Sequence, residues 1–117
     1  MKLIRVESES GALLDWLGDR EVVSSALVLT EVARAGSRHS TDVEATAELL
    51  ESLRLVDLDR DLLREAGRVA PALLRTLDAI HLVTALRLRA GLDAFVCYDE
   101  RLADAAHAVG LTVEAPE

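Results

Sequence analysis

Short apolar runs alternate along this chain with longer stretches whose apolar residues recur at helical spacing, the pattern of a parallel α/β sheet. Glu21-Val22-Val23-Ser24, Leu55-Val56-Asp57-Leu58-Asp59 and Ala94-Phe95-Val96-Cys97-Tyr98 are predicted as strands, with Leu111 to Ala115 as a last, edge strand. Met1 to Val6 reads as the tail of a helix. A second helix, capped by Ser8 or Ser10, carries Leu13, Leu14, Trp16 and Leu17 on one face and ends at Gly18 and Asp19. Ser24 or Ser25 is expected to cap the helix that holds Glu31. Thr41-Asp42-Val43-Glu44 matches a capping box and opens a helix to about Leu53. Asp59 or Arg60 leads into a helix through Val69, and Pro71 marks the break before one covering Leu73 to Ala90, closed by Gly91. Glu100 to Val109 is the last helix, ended by Gly110.

The helix Leu77-Asp78-Ala79-Ile80-His81-Leu82-Val83-Thr84-Ala85-Leu86 breaks its own pattern. Nearly every position calls for burial, yet Asp78, His81 and Thr84 form a polar stripe at three-residue spacing. An ionised carboxylate costs several kcal/mol to strip of water unless a partner compensates it. The stripe therefore needs a salt bridge, a hydrogen-bond network or a metal. Two more acids stand in similar settings: Glu31 within Leu29-Thr30-Glu31-Val32-Ala33, and Asp99 directly after the strand at Phe95–Tyr98. In an open parallel sheet, sites form beyond the carboxyl ends of the strands. Asp99 lies there, and Glu31, about two turns into its helix, could reach the same rim.

Composition narrows the chemistry. At 117 residues, half of them hydrophobic, one domain with a real core is expected over 1–117. Cys97 is the only cysteine, which excludes an intrachain disulfide and fits a reducing, cytoplasmic setting. No signal peptide or membrane-length apolar run is visible. A net charge of −8 argues against gripping nucleic acid through a broad basic face. It leaves open a nuclease whose carboxylates hold cations that in turn hold a phosphate. Carboxylates gathered without cysteine suit hard ions such as Mg²⁺ or Mn²⁺.

Three blocks together carry a family resemblance. Ser24-Ser25-Ala26 through Leu29-Thr30-Glu31-Val32-Ala33-Arg34-Ala35, then Leu77-Asp78-Ala79-Ile80-His81-Leu82-Val83-Thr84-Ala85, then Tyr98-Asp99-Glu100-Arg101-Leu102-Ala103-Asp104-Ala105-Ala106 followed by Gly110-Leu111 resemble PIN-domain ribonucleases of the VapC toxin type. The resemblance implies a PIN-like three-layer α/β fold, a parallel sheet flanked by helices. It implies Glu31, Asp78 and Asp99 as catalytic, metal-site acids for Mg²⁺ or Mn²⁺. It also implies a cognate antitoxin of the VapB type, homodimers, and cleavage of structured RNA such as tRNA or ribosomal RNA.

The chain departs from that family at its start. Such toxins begin with an apolar strand ending in aspartate, whereas Met1-Lys2-Leu3-Ile4-Arg5-Val6-Glu7 reads as the end of the following helix. The central first strand and a fourth acid are thus expected to be missing, with Asp15 and Asp19 poor substitutes and Met1 a misassigned internal start. The two apolar strands left facing a gap would make the chain poorly soluble, or another strand would rescue them, and the chain as it stands is expected to be inactive on RNA. A catalytically inactive PIN-like protein that keeps only antitoxin or dimer binding is the alternative function.

Each candidate also has a local reading. Asp78 could pair with Arg75, Glu31 with Arg34, and Asp99 could be a helix N-cap, or both cap and ligand. His81 reads as a satisfied core residue supporting Asp78, while His39 and His107 read as surface residues. Strand alternation and capping account for Asp57, Asp59 and Asp61. Arg34 and Arg101 are candidate phosphate contacts or partners of nearby acids. Leu13, Trp16 and Leu17 offer an apolar face for core or a protein partner.

Overall fold

The computed structural model describes residues 2–4, 21–39 and 43–115. Among these residues five strands, β1 (Lys2–Ile4), β2 (Val22–Ser25), β3 (Leu53–Val56), β4 (Ala94–Val96) and β5 (Val113–Glu114), form one sheet in the order β3-β2-β1-β4-β5. Every pairing is parallel. The described helices are α1 (Val28–His39), α2 (Val43–Ser52), α3 (Arg60–Ala66), α4 (Thr76–Arg87) and α5 (Glu100–Ala108), with a short 3₁₀ turn at Arg89–Gly91. Parallel strands need crossovers, and among the described residues those from β2 to β3, β3 to β4 and β4 to β5 run through helices, as the alternating pattern predicts.

The sheet corrects the reading of the amino-terminal segment. Lys2–Ile4 is not the tail of a helix, and the central position is not empty. The segment lies between β2 and β4, with Leu3 opposite Val23 on one side and Phe95 on the other. A run this short carries no periodicity that separates helix from strand. Tertiary pairing decides it, because two buried strand edges would otherwise hold unpaired N–H and C=O groups. The rescue by another strand, expected as the alternative to insolubility, is thereby met from within the chain. Asp15, Asp19, the caps at Ser8 or Ser10, and the face of Leu13, Trp16 and Leu17 lie outside the described residues, as do Thr41 and Asp42.

The core explains why the strands read as continuous apolar runs. All of β2 and β4 is buried, including residues pointing to opposite faces, so both faces of the sheet are covered. On one face Val23, Phe95 and Cys97 meet Leu82 and Ala85 of α4 and Leu102, Ala105 and Ala106 of α5. Leu62 of α3 packs on Ile80 and Val83 of α4, so α4 is enclosed from two directions. That enclosure buries Asp78 through Ala85 without interruption.

Several element limits shift. β3 begins at Leu53, directly out of α2, because its register with Val22–Ser25 recruits Leu53 and Arg54 to the sheet. α4 begins at Thr76, not Leu73, since Leu74 N–H is turned back onto the Pro71 carbonyl and leaves Leu73 exposed. α5 closes as expected: Gly110 takes φ +86°, and Leu111 N–H and Gly110 N–H bond back to the carbonyls of Ala106 and His107.

Asp59 caps α3 through a 2.7 Å bond from Leu62 N–H, and Arg87 reaches across from α4 to the same carboxylate. Asp57 and Asp61 are exposed. The Leu62 N–H, aided by Arg87, holds the Asp59 carboxyl below its ordinary value. Asp59→Ala should therefore lower the thermal midpoint near neutral pH. A depressed pKa stabilises the fold above the unfolded value of about 4, and that contribution fades as pH falls through the lower folded value. Midpoints measured from pH 7 to 3 should show the gap between Asp59→Ala and the parent narrowing with acid; a constant gap would mean the charge is irrelevant.

Candidate active site

The carboxyl ends of β2, β1 and β4 lie side by side, and the three acids singled out from sequence gather on this rim. Glu31 sits in the first turn of α1, just beyond β2, rather than two turns in. Asp99 is the N-cap residue of α5, just beyond β4. Asp78 is in the first turn of α4, where the helix dipole favours an anion.

One cation joins two of them. Arg75 Nε donates to Asp78 Oδ2 at 3.0 Å, and its Nη2 donates to Asp99 Oδ2 at 2.8 Å. The local pairing expected of Asp78 is formed, and the same guanidinium also takes Asp99. The cap expected of Asp99 is formed as well, with Oδ1 accepting from Leu102 N–H at 3.0 Å. Asp78 is almost completely buried, while the Arg75 side chain is 62% exposed. The buried charge is thus compensated from the solvent side.

Glu31 belongs to a second chain of contacts. His81, fully buried, faces Glu31 Oε1 through Nε2 at 2.8 Å and Ser25 Oγ through Nδ1 at 3.2 Å. An ionised carboxylate only accepts, so Nε2–H donates to Glu31, and in the neutral ring Nδ1 accepts a hydrogen bond from the Ser25 hydroxyl. The expectation that His81 supports Asp78 is corrected: it supports Glu31. Nor does either serine cap α1, because Ser25 bonds His81 and Ser24 Oγ donates to the Ser25 carbonyl. The Glu31 partner on view is His81 in place of Arg34. Thr84, the third member of the stripe, bonds back to the Ile80 carbonyl at 2.8 Å and stays out of the site. Among the described residues no buried side-chain polar atom lacks a partner.

These contacts leave the acids as two linked groups, Asp78–Arg75–Asp99 and Glu31–His81–Ser25, bridged by the single helical turn between Asp78 and His81. Among the described residues, no set of three acids, histidines or cysteines closes around one point. Two carboxylate oxygens do converge on one positive group, and the donors are all hard oxygens, which fits a Mg²⁺-type ion. Sequence reading found the acids but missed the span of Arg75 and the pairing of His81 with Glu31. The available signals were Arg75 one turn before Asp78 and hydroxyls at a strand end. His107 is exposed, as expected of a surface residue, and Arg34 and Arg101, the candidate phosphate contacts, are exposed too. The side chain of His39 lies outside the described residues. Among the described residues no helix is long and apolar enough to cross a membrane.

Comparison with known proteins shows the family. Residues 1–108 match the PIN domain. The chain is 42% identical to Ribonuclease VapC35 of Mycobacterium tuberculosis over 122 residues, covering 99% of this chain and 90% of that protein. It is 43% identical to Ribonuclease VapC46 of the same organism over 118 residues, covering 99% and 91%. Ribonuclease VapC47, also from Mycobacterium tuberculosis, is 33% identical, with 98% and 90% covered. A match running nearly the whole length, onto a parallel sheet with its acids at the carboxyl rim, leaves one conclusion: the chain belongs to the PIN-domain family.

Proposed function

We propose that this chain is a metal-dependent endoribonuclease and the toxin of a toxin–antitoxin pair. The observation that carries the reading is the convergence of Asp78 and Asp99 on one cationic position at the sheet rim. Relatives named ribonucleases at 42% and 43% identity support the reaction class. Asp78 and Asp99 would hold a Mg²⁺ or Mn²⁺ ion, with Glu31 contributing from the adjacent turn. Such an ion lowers the pKa of bound water and offsets charge on a phosphodiester. The protein's part is to place its acids: His81 and Ser25 orient Glu31, and the α5 terminus orients Asp99. With a net charge of −8, RNA would be engaged locally at the rim, not along a basic face. A VapB-type antitoxin, a homodimer, a cytoplasmic location and a structured target such as tRNA or ribosomal RNA complete the proposal.

Incubating the purified chain with total RNA tests this reading directly. Cleavage should appear with Mn²⁺ or Mg²⁺, disappear with EDTA, and return on adding excess metal. Undiminished cleavage in EDTA would overturn metal dependence. A folded chain that binds its antitoxin but cuts no RNA under any metal would favour the inactive alternative.

A further inference from the structure

Asp99 has committed both of its oxygens. Oδ1 accepts the Leu102 N–H that starts α5, and Oδ2 accepts Arg75. Asp78, almost wholly buried, meets the same guanidinium through its own Oδ2. Without a shared cation, two carboxylates converging on one position would repel each other. The guanidinium removes that repulsion, and its planar fork suits a two-carboxylate grip. A hard divalent ion needs those same oxygens at a closer approach of about 2.1 Å, and its charge would repel a guanidinium left in place. Of the Asp99 contacts, the cap is built into the backbone of α5, whereas Arg75 is 62% exposed and gains water when it leaves.

We infer that Arg75 is a built-in counterion that holds Asp78 and Asp99 together in the metal-free chain, and that a divalent cation displaces its guanidinium to bind between them. This rests on the metal-dependent reading above and goes beyond it, since it gives the chain two exclusive states of one site. In the first, the arginine completes the fold at the rim. In the second, the metal takes over that role and the guanidinium is released to solvent.

The test uses the full chain and Mn²⁺ alone, with no RNA present. Calorimetric titration should show Arg75→Ala binding Mn²⁺ about three- to tenfold tighter than the parent, the factor expected when one or two partly exposed ion pairs no longer compete. Metal-free Arg75→Ala should melt at a lower temperature yet gain more from saturating Mn²⁺. Arg75→Lys, which keeps charge but not the two-point grip, should fall between. On the unmodified chain, the Arg75 Nε–H resonance, identified by its loss in Arg75→Lys, should move towards its solvent position as Mg²⁺ is added. Equal or weaker Mn²⁺ binding by a folded Arg75→Ala chain would overturn the inference while leaving the metal site standing, and so would an unmoved resonance at saturating Mg²⁺. Failure of every variant and the parent to bind Mn²⁺ would sink the metal-dependent reading and this inference together.

Discussion

Asp78→Asn should reduce metal-dependent RNA cleavage by at least about 100-fold while leaving a cooperatively folded chain. The substitution is nearly isosteric but removes a negative ligand. Metal-assisted charge stabilisation is worth several kcal/mol, which is roughly two to four orders of magnitude in rate. The effect on stability should be far smaller. Breaking a buried ion pair is severe when it strands a buried charge. Here Arg75, a partner left behind, has a side chain that is 62% exposed and rehydrates. The loss should be about 1 kcal/mol, near the upper end for half-exposed pairs. Cleavage of total RNA with Mn²⁺, read beside a denaturant titration, separates the two effects. Full activity in a folded Asp78→Asn chain would take Asp78 out of the site.

Leu3→Pro should unfold the protein. Leu3 pairs with Val23 and with Phe95, so its backbone is committed in the middle of the sheet. Proline removes the N–H and crowds the neighbouring strand, a combination that sheets tolerate only at edges and bulges. Loss of ladder bonds there leaves buried groups unpaired at about 1–3 kcal/mol each, against a total stability of ~5–15 kcal/mol. By contrast, proline at Ala115, beyond the edge strand β5, should be nearly silent. A cooperative transition at an unchanged midpoint in Leu3→Pro would show that Lys2–Ile4 does not hold the central position.

The acids were legible in sequence because each is a charge set in apolar surroundings, a local contradiction that only tertiary structure resolves. The Gly110 stop, the Asp59 cap and the strand at Phe95 were legible for a related reason: each is fixed by its own residue type. What stayed hidden depends on neighbours distant in the chain. Arg75 stands 24 residues from Asp99, and nothing near either residue announces the bond. His81 lies 50 residues from Glu31, so the adjacent Asp78 looked like its natural partner. Lys2–Ile4 resembles a helix end in sequence for the same cause: three residues carry too little pattern to reveal that two strands await them.

That strand also sets a clock. One of its two flanks is far away in sequence: Lys2 pairs with Ala94, 92 residues further along the chain. Pairings so distant along the chain close slowly, because the entropy of the loop is lost before the contacts repay it. Glu31 and Asp99 reach a common rim only when β1 joins their strands. Until that pairing closes the rim is not assembled, so the candidate site forms late, in the same step that completes the sheet.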